Sequence, residues 1–396
     1  ADAVTSAKIP AGAVVASDVA DGSVTTAKLA DDAVTSAKAL NLGRRNIVIN
    51  GAMQVAQRGT SATGRGASSN FLVDRFKATH NGNSAGRYTV SRVADVHDGF
   101  STALKFECTT ADTSIGAAER FFIEQPIEGQ NLQQFRKGSS DAKDFVVSFY
   151  AKANGNFTYV VGFYDADNNR TVSRTFAVTS SWQRFTINFG ADTSGAFDND
   201  NALSLQLRFY LHAGSNYTGG SLQTSWDAVT NNETAGGMTS SFFSSTNNTF
   251  FLTGVQLEVG DKGDGTSVAT DFEHRTFAEE LRDCQRYYFH TYRQGIAIGS
   301  TGSDNGAALS RIYSAVTNHH NFTVIYPQHM RATPSITYYS MNGTVDRVSF
   351  LGSDYSHDTN VSITATYELG ERGINGISIG AGDQSIGGHV IANAEL

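Results

Sequence analysis

The sequence predicts an all-β protein in which a short repeat precedes β-sandwich domains, and three observations lead to this prediction. The 396 residues include 39 Gly but only 4 Pro, with 40% hydrophobic and 11% aromatic residues, a composition typical of globular all-β chains with many turns. Apolar and polar residues alternate in many short segments, as they do in half-buried strands. Residues 1–40 carry an apolar repeat whose period fits neither a helix nor a strand.

The repeat places an apolar residue at every fifth position within residues 1–40. These positions are Val4, Ile9, Val14, Val19, Val24, Leu29, Val34 and Ala39. A helix turns by about 100° per residue and a strand alternates every two residues, so neither collects a five-residue period on one face. We therefore expect identical chains to bury the apolar positions around a common axis, as a homotrimeric stem. A flexible linker rich in Ala, Ser, Thr and Asp is the alternative.

Residues 41–270 are expected to form a β-sandwich. The clearest alternation places Leu203, Leu205, Leu207, Phe209 and Leu211 on one face and Ser204, Gln206, Arg208, Tyr210 and His212 on the other. This pattern predicts an antiparallel strand with one face buried. Similar alternation at 145–149, 159–163 and 185–189, separated by turns rich in Gly, Asn and Asp, predicts two packed sheets.

A helical connector is expected at residues 271–292, and a second β-domain at 293–396. Thr276 and Glu279 match a capping box, which marks a helix start. Apolar residues follow at spacings of four, three and four, namely Phe277, Leu281, Cys284 and Tyr288. This stripe could line a short threefold seam or pack on a sheet, and the sequence favours neither. Alternation resumes at 361–367, which predicts a C-terminal β-sandwich tip.

Charge and cysteine content exclude several classes of function. The formal charge is −8 and the 30 Lys and Arg form no dense cluster, so we expect no nucleic-acid partner. Two cysteines, Cys108 and Cys284, are too few for a disulfide framework and are predicted to be buried. The chain begins with Ala inside the repeat, so we expect a preceding segment that attaches it to other proteins.

Three sets of residues resemble bacteriophage tail fibre and receptor-binding proteins. The first is 46–60 with 72–76. The second is 253–260 with 272–275 and 280–288. The third is 330–334 with 394–396. Each stretch alone is weak, but the set is specific and brackets most of the chain after the repeat.

The resemblance implies a jelly-roll sandwich related to carbohydrate-binding modules, within a homotrimeric fibre whose tip meets the host. It implies a virion protein, assembled in the host cytoplasm, that binds other virion tail proteins through the missing N-terminal segment. A host-surface glycan or an outer-membrane receptor would be the target. The family has no shared catalytic motif and no cofactor, and its signature residues look structural; Asp74 and Arg75, for example, are expected to pair within the fold.

We therefore expect an adhesin without enzymatic activity. A tailspike-type enzyme that cleaves polysaccharide is one alternative, although the repeated turns of a long parallel β-helix are not seen beyond residue 40. A purely structural virion stem protein is the other. Adhesion and an inert stem would differ in binding to whole cells, and an enzyme would shorten its polysaccharide.

Glycan sites combine aromatic ring faces with amide, carboxylate or guanidinium groups. The candidates of this kind are Trp226, Asp227, Tyr217, Arg208, Tyr210, Asp354, Tyr355 and His357. The C-terminal tip is expected to contribute most to host binding, because the stem must face the particle.

Other motifs are weaker. Gly82 to Gly86 matches a G-x-S-x-G nucleophile motif, but a strand-like segment follows it, which favours a hairpin loop. The oxygen-rich stretches 198–201 and 261–265 could hold Ca²⁺.

Overall fold

The computed structural model describes residues 44–396 except 67, 262, 302–305, 311, 315–318, 352–358 and 380–384, and for 312–314 it describes only the backbone. The predicted stem at residues 1–40 lies outside this range. The predicted tip residues Asp354, Tyr355 and His357 also lie outside it.

Thirteen strands build the first part of the described chain. They are β1 (Ser61–Arg65), β2 (Asn70–Phe71), β3 (Lys77–Asn81), β4 (Arg87–Val93), β5 (Ala103–Thr110), β6 (Arg120–Glu128), β7 (Phe145–Ala153), β8 (Phe157–Asp165), β9 (Arg170–Val178), β10 (Gln183–Phe189), β11 (Leu203–Ala213), β12 (Asp227–Ala228) and β13 (Thr249–Val259). Sheet 1 has the order β1-β4-β5-β13-β7-β10, and sheet 2 has the order β12-β9-β8-β11-β6-β3-β2. The strand pairs are antiparallel, so the all-β prediction is confirmed.

The two sheets enclose one large apolar core. Its centre is rich in aromatic rings, and Phe145, Phe149 and Phe163 have 1% exposure or less. The predicted alternation of β11 holds here, because Leu205, Leu207 and Phe209 are fully buried in this core. Full burial of such a side chain contributes about 1.5–3 kcal/mol, so the core defines which face of each strand points inward.

A β-bulge changes the end of β11. The pairing of β11 with β6 shifts register between Tyr210 and His212. Because a one-residue slip reverses the side-chain direction, His212 does not continue the outward row that its spacing predicts. Its ring instead lies 5.3 Å from that of Phe243, a core residue.

Residues 214–240 form a long connection that lies over part of sheet 2. This segment contains α1 (Ser215–Thr218), β12 and a short 3-10 turn at Asn231–Glu233. A small apolar cluster forms where the segment meets the sheet, and it includes Tyr210 and Phe122 from the strands and Ala235 from the segment. The segment therefore narrows the accessible part of the outer face of sheet 2.

The connector helix α2 covers Phe277–Gln285 and begins with the predicted capping box. The Thr276 side chain accepts from the Glu279 N–H, and the Glu279 side chain accepts from the Thr276 N–H. Glu280 and Cys284 face inward, and a Glu280 oxygen accepts from the Asn50 N–H at 2.6 Å. The apolar stripe is shorter than its spacing suggests, because the helix ends before Tyr288, which lies in the next strand.

The C-terminal part forms a third antiparallel sheet. Its elements are β14 (Tyr288–His290), β15 (Ala308–Ser310), β16 (Ile312–Ser314), β17 (His319–His320), β18 (Val324–Ile325), β19 (Ser335–Ser340), β20 (Arg347–Leu351), β21 (Asn360–Tyr367), β22 (Gly373–Ile374), β23 (Gly376–Ile379) and β24 (Ser385–Asn393). The third sheet has the order β14-β24-β20-β21-β23-β17-β16, with β15 and β19 also paired with β24, whereas β18 and β22 form a separate two-stranded sheet. This sheet has its own apolar core.

The residues that carry the family resemblance meet at the junction between the sandwich, α2 and the third sheet. Asp74 accepts from Arg58 at 3.3 Å, and the buried Arg75 pairs with Glu395. The Ala394 N–H donates to the Tyr287 carbonyl at 2.8 Å. Asp74 and Arg75 are thus both paired, each with a different partner, and the pair of Arg75 with Glu395 ties residue 395 to the sandwich.

Both cysteines are free and buried, as predicted. No helix in the described part of the chain is long and apolar enough to cross a membrane.

Candidate functional site

The outer face of sheet 2, which points away from the sandwich core, carries a cluster of charged and aromatic side chains. Lys77 on β3 and Arg208 on β11 both lie in register with Glu124 on β6. In the neighbouring position along the strands, Phe122 lies in register with Tyr210. Antiparallel strands bring such cross-strand side chains within about 5 Å of one another, so residues distant in sequence form one surface.

Five side chains on this face alternate between aromatic rings and guanidinium groups. The Arg208 guanidinium lies 4.4 Å from the Tyr164 ring centre and 5.0 Å from that of Phe122. The Arg120 guanidinium lies 5.5 Å from the same Phe122 ring and 4.8 Å from the Tyr217 ring. These distances are typical of cation–π contacts. We call Tyr164, Arg208, Phe122, Arg120 and Tyr217 the arginine–aromatic row.

Arg208 is held in place by polar partners. Its Nε lies 3.5 Å from a Glu124 oxygen, and one Nη donates to the Tyr210 hydroxyl at 3.2 Å. Burial lowers the pKa of Arg208, but Tyr210 and Glu124 outweigh it and the pKa is raised. Glu124 also accepts from Thr79 at 2.8 Å and lies 3.8 Å from the Lys77 ammonium. Arg208 is therefore a rigid cation, with 14% of its side chain exposed.

Arg120 has a different environment. Its Nε donates to the Asn81 side-chain oxygen at 3.2 Å. Within the described residues, no carboxylate lies within 4.0 Å of its guanidinium, and it makes no second hydrogen bond there. Both terminal nitrogens of Arg120 are therefore free to bind a ligand.

The structure brings three of the predicted glycan-binding residues to this face. Arg208 and Tyr217 belong to the arginine–aromatic row, and both are half-buried. Tyr210 lies beside them, but its ring is 3% exposed and packs on Phe122. Tyr210 can thus support the site through its hydroxyl, while its ring faces are covered.

The other described candidates, Trp226 and Asp227, lie at the far edge of sheet 2. β12, which begins at Asp227, is three strands from β11, a separation of about 14 Å at ordinary strand spacing. The indole N–H of Trp226 donates to the Gly190 carbonyl at 3.0 Å, and its ring stacks on Phe163. Trp226 therefore anchors the segment 214–240 to the core, and Asp227 is exposed beside it.

Sequence reasoning missed four members of the site and one supporting residue. These are Lys77, Arg120, Phe122, Tyr164 and Glu124. A signal exists for Tyr164, which is out of phase with the inward residues Val161 and Phe163 and so must point outward. The run of aliphatic, aromatic and charged residues in β6 has no regular alternation, because both faces of that strand are buried.

The G-x-S-x-G motif is not a nucleophile elbow. The segment 82–86 joins β3 in sheet 2 to β4 in sheet 1, so it is a crossover between sheets and not the expected hairpin. The Ser84 hydroxyl is buried and donates to Asp112 at 2.7 Å. This serine therefore ties two loops together.

The oxygen-rich loops make hydrogen bonds within the protein. The buried Asp144 accepts from the Gly265 N–H at 2.9 Å and from the Ser267 hydroxyl at 2.8 Å, which fixes the loop after residue 260. Asp200 accepts from the Ala202 N–H at 2.9 Å. No group of three or more His, Cys, Asp or Glu that could hold a metal ion occurs among the residues that the structure describes.

A polar cavity of about 370 Å³ lies at the junction near Arg44. Its lining includes Arg275 and Arg286. Arg286 is paired with Glu128 at 2.7 Å, and Arg275 lies 3.4 Å from Asp283. Both of these cations therefore already have acidic partners.

No protein-family model matches the sequence, and a search of curated proteins finds no match. Among solved structures, a putative sugar binding protein from Bacteroides thetaiotaomicron is similar over 54% of this chain and 100% of its own, with 10% identity and a TM-score of 0.30. A structure described as "CBM4 structure and function" matches 53% of this chain and 97% of its own, with 14% identity and a TM-score of 0.26.

The enzymatically active domain of tailspike protein 4 from bacteriophage CBA120 matches 54% of this chain and 21% of its own, with 13% identity and a TM-score of 0.27. At such TM-scores these similarities carry no argument, and the all-β architecture rests on the strands and sheets described above.

Proposed function

We propose that this protein binds a cell-surface glycan through the outer face of sheet 2. The observation that carries the proposal is the arginine–aromatic row. Sugar rings present apolar C–H faces that stack on aromatic rings, and hydroxyls that hydrogen-bond to guanidinium and amide groups. Tyr164 and Tyr217 supply rings at the two ends of the row, and Arg208 and Arg120 supply donors between them.

Rigid presentation of these groups supports the same function. Arg208 is held by Glu124 and Tyr210, and Arg120 is aligned by Asn81 and the Tyr217 ring. A preorganised side chain loses less conformational entropy when a ligand binds. A sheet face with fixed donors and rings can therefore bind an extended sugar chain without reorganisation.

The biological role that we propose is adhesion by a phage tail fibre. The family resemblance in the sequence supports this role, and the five-residue repeat supports a homotrimeric stem. In a trimer the site would be present three times, and several weak sites acting together give strong attachment. Light scattering should then report about three times the mass of one chain, whereas a stable monomer would contradict the trimer.

The test of glycan binding is the substitution Tyr217→Ala. Titration with purified host-surface polysaccharide should show an affinity loss of about tenfold, because a stacking ring face is removed. Trp182→Ala is the matched control, since Trp182 is also half-buried but packs on Phe251 at sheet 1. Unchanged affinity in a folded Tyr217→Ala protein would overturn the proposed site.

Two further experiments separate the remaining possibilities. Tyr355→Ala tests the expected tip site, and a larger loss there than with Tyr217→Ala would move recognition to the C-terminal part. Incubation with host polysaccharide tests the tailspike alternative, which predicts shortened products, whereas an adhesin leaves the polymer intact.

A further inference from the structure

We infer that the glycan is acidic, and that Arg120 binds a carboxylate on the sugar. This inference rests on the proposed function, because it assigns a chemical class to the ligand of the same face. Three observations carry it: the balance of charge on the face, the free terminal nitrogens of Arg120, and the rings that flank its guanidinium.

The balance of charge favours an anion. On the described strands β3, β6 and β11, the three cations Lys77, Arg120 and Arg208 lie around the acid Glu124. The Glu124 side chain is 3% exposed and lies against both Lys77 and Arg208, so its charge is compensated from two sides. The next acid on β6, Glu128, is paired with Arg286. This part of the face therefore carries more positive than negative charge, although the whole chain has a net charge of −8.

Among these three cations, Arg120 is the one best placed to bind an anionic ligand. Its described hydrogen bond goes to the neutral amide of Asn81, which leaves its charge without an acidic partner. A guanidinium presents two parallel N–H groups that match the two oxygens of a carboxylate. A sugar carboxylate of the uronic acid type can therefore form the bidentate pair that the protein itself does not supply.

The flanking rings determine how such a sugar lies. The Arg120 guanidinium is 4.8 Å from the Tyr217 ring centre and 5.5 Å from that of Phe122, and Phe122 is 2% exposed. Tyr217, which is half-buried, can stack on the apolar face of the same sugar whose carboxylate meets Arg120. Tyr164 lies at the other end of the row, beyond Arg208. Neighbouring sugars of one oligosaccharide chain would therefore lie along the row.

The experiment uses the full chain and a panel of neutral and carboxylate-bearing oligosaccharides, followed by the best acidic binder and its carboxyl-reduced form. We expect the tightest binders to carry carboxylates. Carboxyl reduction should weaken binding by about tenfold to a hundredfold, the usual value of a charged hydrogen bond. Arg120→Gln should cause a similar loss of affinity for the acidic oligosaccharide and little change for the reduced one. Added salt should weaken binding of the acidic oligosaccharide only.

Arg65→Gln is the matched control, because Arg65 is exposed, lies on sheet 1 and also donates to a single amide oxygen, that of Asn70 at 3.2 Å. It removes the same charge and should leave binding unchanged. If the acidic oligosaccharide and its carboxyl-reduced form bind equally, and Tyr217→Ala weakens both, the acidic class is overturned but glycan binding on this face is kept. Binding that Tyr217→Ala leaves unchanged would overturn the proposed site itself.

Discussion

At the scale of single residues, Lys137 places a buried ammonium in the sandwich. Its Nζ lies 2.6 Å from Asp165 and 3.0 Å from Asp192, and it donates to the carbonyls of Ser194 and Gly195 at 2.9 and 2.6 Å. The Lys137 and Asp165 side chains have no exposed surface. Four oxygens thus surround one cation, which compensates the buried Asp165 and shares Asp192 with Arg170, 2.8 Å away.

Lys137→Met should therefore destabilise the protein by about 3–5 kcal/mol, because removal of one partner leaves buried charge uncompensated. Urea unfolding measures this loss. Lys143→Met is the control, since Lys143 donates to the Asp261 carbonyl at an exposed position. Equal stability of the two variants would show that the buried cluster contributes no net stability.

His389 makes the third sheet sensitive to acid. Its ring is fully buried, stacks on Tyr292 at 3.7 Å and contacts the Thr291 hydroxyl. Burial, with a smaller contribution from His290, lowers its pKa from 6.5 to about 4. Above pH 6.5 the imidazole is neutral in both the folded and unfolded states. Below it the unfolded chain binds a proton that the folded chain refuses, so stability is lost between pH 6.5 and about 4.

His389→Phe keeps a ring for stacking but cannot bind the proton. Between pH 7 and pH 4.5, the variant should lose about 2 kcal/mol less unfolding free energy than the wild-type protein loses. Urea midpoints at the two pH values measure the difference. An identical pH dependence in both proteins would show that His389 is not the group that titrates.

At the scale of elements, local rules predict where segments begin more reliably than where they end. The capping box at Thr276 and Glu279 marks the start of α2, as the sequence indicates. The helix ends earlier than the apolar spacing predicts, because Tyr288 belongs to β14 and pairs with Asn393 on β24. The bulge in β11 is a similar case, since pairing with β6 moves His212 off the predicted face. Competition from a neighbouring strand decides both outcomes.

Thr276→Ala removes the side-chain half of the cap on α2 and should destabilise the protein by about 1 kcal/mol. Thr276→Ser keeps the hydroxyl and should stay close to the wild type. Thermal unfolding of the two variants tests this, and a Ser variant as unstable as the Ala variant would mean that the hydroxyl is not the important group.

At the scale of the whole molecule, one acid near the C-terminus joins the third sheet to the sandwich. Glu395 pairs with Arg75 and also with Arg58, which it contacts at 3.0 Å. The Arg75 side chain is 1% exposed and its guanidinium lies 3.4 Å from the Tyr287 ring centre. A residue next to the last position therefore compensates a charge buried early in the chain.

Glu395→Gln should leave Arg75 with a buried, unpaired charge and weaken this junction by about 3–5 kcal/mol. Hydrogen exchange should become faster in β14 and β24, which lie next to the junction. Glu371→Gln is the control, because Glu371 pairs with His329 at an exposed position. If exchange in β14 and β24 does not change, the junction does not depend on this ion pair.

The candidate site could be predicted only in part. Alternation and chemistry point to Arg208, and chemistry alone points to Tyr217, whereas Arg120 and Tyr164 join the row through strand pairing. Trp226 has suitable chemistry for a glycan site, yet its indole N–H meets the Gly190 carbonyl and its ring packs on the core. Composition cannot separate an anchoring tryptophan from a stacking one, because both require an aromatic ring in a turn-rich segment.

The sequence by itself determined the all-β class, the inward face of most of β11, the start of α2 and the burial of both cysteines, because these depend on periodicity and on neighbours within a few residues. Tertiary structure alone decided which strands share a sheet, where the bulge falls, and that Arg75 pairs with Glu395. It also brought Tyr164, Arg208, Phe122, Arg120 and Tyr217 into one row. These features depend on contacts between residues far apart in the chain, and no local pattern records which distant strand will supply the partner.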